Sequence, residues 1–366
     1  MVTVIGTRPE AIKMAPVVRE LQRRADAFEH KLVTTAQHRE MLDQVLRVFN
    51  IVPDIDMELM EPNQDLADFA ARSLTALARM VQDLRPDAVL VQGDTTTVMM
   101  AALAAFYHGV KVGHVEAGLR SFDRRNPFPE EINRRIAGCL SDIHFAPTDQ
   151  ARENLFREGI PPQQVFLTGN TIVDALQSMP LEGEFENRRL AGIDFDRRRV
   201  VLVTAHRREN HGEPLRAICK ALKRIAASFD DVEVVYPVHL NPNVSDLVKE
   251  ELSGVPKVHL TEPLSYVDLL KSISRSYLVL TDSGGIQEES PSFRRPVLVL
   301  REVTERPELI EAGAGRIVGT NAERIYKECA RLLTNSDEYR KMSDVRNPFG
   351  DGQAAKRIVR ILDQLL

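Results

Sequence analysis

The stretch MVTVIGTRPEAIKMAP, residues 1–16, runs from four β-branched residues, Val2 to Ile5, through a polar tip into the start of a helix with Pro9 in its first turn. A strand without polar alternation is buried on both faces, the pattern of a parallel sheet covered by helices on each side. The same order recurs down the chain. Short apolar runs stand at 31–35 (KLVTT), 88–92 (AVLVQ), 111–115 (KVGHV) and 165–168 (VFLT), then at 199–205 (RVVLVTA), 232–238 (VEVVYPV), 277–281 (YLVLT) and 296–300 (PVLVL). Longer amphipathic segments follow them. The class this predicts is α/β with parallel sheets.

The 366 residues suffice for two domains of ordinary size. The segment MPLEGEFENRRLAGIDFDRRR (179–199) is charged, lacks a long apolar period and separates two sets of β-α units, so it reads as a junction with a trailing loop. We expect a first domain over 1–172 and a second over 173–350. The final segment, DGQAAKRIVRILDQLL (351–366), carries Ala354, Ala355, Ile358, Ile361, Leu362 and Leu365 at helical spacing and predicts a closing helix.

Composition narrows the function classes. A net charge of −5 argues against a nucleic-acid partner. Cys139, Cys219 and Cys329 lie far apart in helical contexts, so we expect reduced thiols in or near the core rather than a disulfide framework or a zinc site. The N-terminal residues enter a strand with no basic region or cleavage signal, and no apolar run reaches about 18 residues. The expectation is a cytoplasmic protein with no membrane contact.

In open parallel sheets ligands bind beyond the carboxyl ends of the strands. Here those ends read GTRPE (6–10), GDTTT (93–97), EAGLRS (116–121), GNT (169–171), AHRREN (205–210), HLNP (239–242) and DSGG (282–285), all polar, with glycine in most of them. TDSGGIQEES (281–290) is the most phosphate-like: Gly284 and Gly285 let the backbone approach a ligand, Ser283 can cap a helix or donate its hydroxyl, and helix N–H groups point to the same spot. The same residues also make an ordinary turn with an N-cap, and both readings stand. Arg8, directly after the first strand, is placed for an anion contact, while Lys13 has solvated surface charge as its plain explanation. G-x-G-x-x-G is absent from that tip, which disfavours a nicotinamide or flavin cofactor. His206 follows a strong strand beside Arg207, Arg208 and Glu209; a histidine so placed is structural or catalytic. His38 and His239 also occupy tips, without metal-ligand spacing, so no metal is expected.

The motifs GTRPEAIKMAPV, QGDTTT, HVEAGLRS, PFPEEINRRI, TGNTIVDA, TAHRREN, PVHLNP, TDSGGIQEE and TERPE, in this order, resemble those of the non-hydrolysing UDP-N-acetylglucosamine 2-epimerases, over nearly the whole chain. The resemblance implies a glycosyltransferase-B-type fold: two Rossmann-like domains with parallel sheets facing a central cleft, the helix of 351–366 crossing back to the first domain, and a homodimer. It implies interconversion of UDP-GlcNAc and UDP-ManNAc without a cofactor, supplying a surface polysaccharide. Asp94, Glu116 and Glu130 match the family's functional carboxylates, and His206 matches its diphosphate-side histidine. Arg8, Ser283, Gly284 and Gly285 match diphosphate contacts, Glu289 a ribose contact, and Lys13 and Arg306 further substrate positions. Gln37, His38, Arg207 and His239 are consistent with the second UDP-GlcNAc site by which bacterial members are activated; Glu40 stands where some members carry Gln. Leu269 stands where the family commonly has an aromatic residue near the uracil. Glu130 is preferred to Glu131, whereas Arg134 and Arg135 either pair with these acids or face solvent. A hydrolysing 2-epimerase, a glycosyltransferase of the same fold and a non-catalytic nucleotide-sugar sensor are the competing readings.

Overall fold

The computed structural model describes residues 1–35, 39–61 and 64–366. They form two compact units, Met1–Met179 with Phe349–Leu366, and Pro180–Pro348.

The first unit is built on seven parallel strands: β1 (Val2–Ile5), β2 (Lys31–Thr34), β3 (Ile55–Asp56), β4 (Ala88–Gln92), β5 (Lys111–Val115), β6 (Ile143–Ala146) and β7 (Val165–Leu167). Their order across the sheet is β3-β2-β1-β4-β5-β6-β7. Each residue of β1 and β4 is buried, because helices cover both faces. Val2, Val4, Val89, Val91 and Val112 pack against the helices Leu66–Leu84 and Thr96–Tyr107 through Leu77, Val81, Val98 and Ala101. Helix Arg8–Arg23 packs against the helices Arg39–Val48, Thr171–Gln177 and Ala354–Leu365. Burying each such aliphatic side chain contributes about 1.5–3 kcal/mol, so the sheet position of every tip is set by its core.

The closing helix starts at Ala354, and Asp174 anchors it: the carboxylate accepts the N–H groups of Ala354 (3.2 Å) and Ala355 (2.9 Å). These are among the first-turn donors that a helix cannot satisfy itself. Burial pushes the Asp174 carboxyl up from its ordinary value.

The second unit has six parallel strands: β8 (Arg199–Thr204), β9 (Val232–Pro237), β10 (Val258–Thr261), β11 (Leu278–Thr281), β12 (Val297–Val299) and β13 (Gly315–Ile317). Their order is β10-β9-β8-β11-β12-β13. Val201, Val203, Val234, Tyr236, Leu278 and Leu280 form a core with Ile218, Leu222, Val248 and Leu332.

The segment 179–199 is no loose loop. Asp268 accepts the N–H groups of Glu186 (3.1 Å) and Asn187 (2.8 Å), Lys271 donates to Glu184 O at 2.7 Å, and Phe185 stacks on Phe195 at 5.0 Å. The stretch is anchored through its backbone and its two phenylalanines, while most of its charged side chains stay exposed to solvent. The three cysteines are free. Cys219 and Cys329 are buried, with thiols pushed up to about 12, whereas Cys139 is exposed, contrary to the expectation of a core or near-core site.

Candidate active site

Each sheet reverses its strand order once, between β1 and β4 in the first unit and between β8 and β11 in the second. Diverging chain connections leave a crevice at the carboxyl ends of such a strand pair. Among the described residues, Asp94, Glu116, His206 and Ser283 stand just beyond strand ends of the two sheets.

In the first unit β1 is followed by Gly6, where a Cβ would collide with Thr97 and come within 2.8 Å of Thr35 Oγ1, so only glycine lets the tip settle this close to its neighbours. Helix Arg8–Arg23 begins at Arg8 and presents Lys13 one turn later. The Lys13 ammonium pairs with Glu116, just beyond β5. Glu116 has φ +63°, a left-handed conformation that costs a non-glycine residue about 1 kcal/mol or more, and its side chain is only 7% exposed. Asp94, two residues past β4, pairs with Arg134 on helix Glu130–Leu140, and the Asn133 amide donates to Asp94 O at 3.0 Å. The same guanidinium reaches Glu131 Oε2 at 3.3 Å.

Neighbouring glutamates diverge here. Glu131 is fully buried, and its carboxylate accepts the N–H groups of Ser121 (2.9 Å) and Phe122 (3.2 Å), which ties down the loop between Glu116 and the helix. Glu130 opens the helix at a half-buried position. Of the two arginines left open by the sequence, Arg134 joins the carboxylates, and Arg135 turns to Glu158 at 3.4 Å, which Arg120 also holds.

Two further residues brace this crevice, and sequence reasoning missed both. Glu10 accepts the Gly6 N–H at 2.7 Å and the Thr7 hydroxyl at 2.8 Å, and burial pushes its carboxyl up to about 7. His114, within β5, lies 2.8 Å from Gly93 O; burial lowers its imidazole to about 3, so it is neutral and Nε2–H donates to that carbonyl. The tip polarity of GTRPE and HVEAG was legible, but the inward turn of Glu10 and His114 had no signal of its own.

In the second unit the tip of β8 is held from beneath. The buried Tyr236 hydroxyl donates to Ala205 O at 2.6 Å, and Asp282, at the tip of β11, accepts the N–H groups of His206 and Arg207, both at 2.8 Å, and the Asn210 amide at 2.9 Å. The His206 ring stacks on His239 with centroids 5.2 Å apart. Burial lowers the His206 pKa; the Asp282 carboxylate opposes this, and His239, Arg207 and His211 add to the lowering. In the sequence Asp282 shows only as the first residue of a turn, with no signal of this role.

Beside this tip stands the DSGG turn. A Cβ on Gly284 would lie 3.8 Å from Arg306 Nη2 and 3.9 Å from Arg207 Nη2, so two guanidiniums converge on backbone that carries no side chain. That arrangement suits a phosphate oxygen. Ser283 occupies the N-cap position, but its hydroxyl makes no capping hydrogen bond, contrary to one of its expected uses. Arg306 also pairs with the buried Glu288. Glu289 accepts the Tyr266 hydroxyl at 2.9 Å, on the same helix as Leu269. Gln37 and His38 lie outside the described residues. Among the described residues no group of three or more His, Cys, Asp and Glu could hold a metal ion, and no helix is long and apolar enough to cross a membrane.

Comparison with known proteins agrees with this geometry. Residues 19–363 match the family model for UDP-N-acetylglucosamine 2-epimerase. The chain is 49% identical to the UDP-N-acetylglucosamine 2-epimerase of Bacillus subtilis over 362 residues, covering 99% of this chain and 94% of that protein. It is 50% identical to that of Salmonella typhimurium over 370 residues, covering 99% and 98%. The crystal structure of UDP-GlcNAc 2-epimerase from Neisseria meningitidis bound to UDP-GlcNAc superimposes with a TM-score of 0.91 at 45% identity, covering 99% of each chain. The fold is therefore of the glycosyltransferase-B type, and the chain belongs to the UDP-N-acetylglucosamine 2-epimerase family.

Proposed function

We propose that this protein interconverts UDP-GlcNAc and UDP-ManNAc by inverting C2 of the sugar, without hydrolysis. The C2 proton is not next to a carbonyl, so its direct removal faces a barrier beyond ordinary side chains. Breaking the C1–O bond develops positive charge at C1 and acidifies C2–H. Loss of UDP and the proton gives 2-acetamidoglucal; UDP returns to C1 as a proton is added to the other face of C2.

The observation that carries this reading is the sorting of charge between the two crevices. Asp94 and Glu116, each against a cation, stand at the tips of the first sheet, while Arg207 and Arg306 converge on Gly284 in the second. In this scheme Asp94, Glu116 and Glu130 move the proton and offset the charge at C1. Arg8, Ser283, Gly284 and Gly285 hold the departing UDP, with His206 assisting, Glu289 receives the ribose hydroxyls, and Lys13 and Arg306 make further substrate contacts. The second unit is thus read as the UDP-binding domain. Arg207 and His239, with Gln37 and His38, are proposed to bind a second UDP-GlcNAc that activates turnover of UDP-ManNAc. A cytoplasmic homodimer feeding a surface polysaccharide completes the proposal.

An NMR time course with UDP-GlcNAc in D2O tests it. Deuterium at C2 of accumulating UDP-ManNAc is expected. Free ManNAc with UDP would replace the reading by a hydrolysing enzyme, and an unchanged spectrum would favour a sensor.

A further inference from the structure

Asp282 has no exposed side-chain surface, yet only one of its two oxygens is used. Oδ2 takes three donors, the N–H groups of His206 and Arg207 and the Asn210 amide. Oδ1 is buried without a hydrogen-bond partner and lies 3.7 Å from His206 Nδ1. A buried carboxylate oxygen left unpaired costs about 1–3 kcal/mol or more, so its place opposite one imidazole nitrogen calls for an explanation.

We propose that Asp282 is a positioning residue for His206: one oxygen fixes the backbone that carries the histidine, and the other holds the proton on Nδ1, leaving Nε2 to exchange a proton with the ligand. The inference rests on the reading of His206 as the group beside departing UDP. As the C1–O bond breaks, its electron pair goes to the β-phosphate oxygen, and the imidazolium passes its Nε2 proton to that oxygen. The ring is left neutral with Nδ1–H directed at Asp282, and the reverse step returns the proton. This is the division of labour of a buried aspartate behind a catalytic histidine. The groups facing His206 make the carboxylate matter: the His239 ring, the Arg207 guanidinium and His211 all disfavour a positive imidazole, and Asp282 opposes them. Movement of the ring by less than 1 Å would turn the 3.7 Å approach into a hydrogen bond.

The test combines two readouts. In the wild-type protein, ¹⁵N NMR of the histidine rings, with His206 assigned by its loss in His206→Asn, reports the tautomer without any turnover. Neutral His206 is expected to carry its proton on Nδ1; a proton on Nε2 overturns the proposal. In Asp282→Asn the amide oxygen can still accept the backbone N–H groups. There kcat should fall about a hundredfold with KM changed less than about twofold, and His206 should titrate at lower pH than in the wild type. In a His206→Asn background the same substitution should cost almost nothing more. An unmoved titration, or a full additional loss in that background, overturns the proposal. If wild-type protein fails to exchange deuterium at C2, the proposed reaction falls while the tautomer measurement still decides the role of Asp282.

Discussion

The crevices of the two sheets share a topology and differ in charge. At the first switch point carboxylates face inward, Glu10 beneath the tips and Asp94 and Glu116 upon them, with Lys13 and Arg134 as counterions. At the second, the fully buried Asp282 holds the backbone of His206 and Arg207, His239 stacks on His206, and Arg306 pairs with the buried Glu288 beside Gly284. Parallel-sheet topology decides where a ligand can lie; the residues at the tips decide what it can be. On the proposed reading, one crevice moves protons and the other holds an anion.

Substitutions should break this comparison along its own lines. The largest effect belongs to Glu116→Gln, which keeps the shape and removes the charge: steady-state turnover should fall by about a hundredfold to ten-thousandfold, while UDP binding measured by calorimetry stays near wild type. Turnover equal to the wild type would remove Glu116 from the chemistry.

Glu131→Ala should act on the fold instead. It deprives two backbone N–H groups and the Arg134 guanidinium of a buried acceptor, a loss of about 3 kcal/mol read from urea denaturation. Glu130→Gln, one residue away, should leave that midpoint in place and depress turnover. If both variants behaved alike, the division of labour between the two glutamates would be wrong.

On the anion side, Arg306→Ala should raise the Kd for UDP about tenfold, because a charge-assisted contact is removed from one edge of the cradle. Deuterium exchange at saturating substrate should fall much less than in Glu116→Gln.

A further effect concerns pH. Burial raises Glu10 from an ordinary 4.5 to about 7, so between these values the unfolded chain has released a proton that the folded chain keeps. The contribution of Glu10 to stability therefore falls as pH rises from 4.5 to 7 and levels off above. The stability of wild type relative to Glu10→Gln, by urea denaturation at pH 5 and pH 7.5, should shift against the wild type at the higher pH. A constant difference would contradict the burial.

Much of this could be read from the chain because β1, β4, β8 and β11 are continuous apolar runs and their tips break into Gly, Asp, Arg and His. Four strands had no such run. β6 is an internal, buried strand but carries His144 in the middle of IHFA, and its imidazole is neutral, lowered to about 4 by burial. β3 has two residues, β10 is a half-buried edge, and β13 reads GRI. Partners were hidden for another reason. Arg134 meets Asp94 across 40 residues, and Asp282 meets His206 across 76, because β4 neighbours β5 and β8 neighbours β11. Sheet order, which the sequence does not state, turns tip residues into pairs. Tyr266 on Glu289 belongs to the same class: its helix was legible as the uracil side, but not the direction of its hydroxyl.

The most direct test of the central claim follows the bond to UDP itself. UDP-GlcNAc labelled with ¹⁸O between C1 and the β-phosphorus should be incubated with the protein, recovered and examined by ³¹P NMR. If UDP leaves, is held by the second unit and returns, the label moves from the bridge to the non-bridging β-phosphate oxygens while no free UDP accumulates. Inversion at C2 with the label still in the bridge would mean that the C1–O bond never breaks, and the account of two crevices sharing one elimination would be wrong.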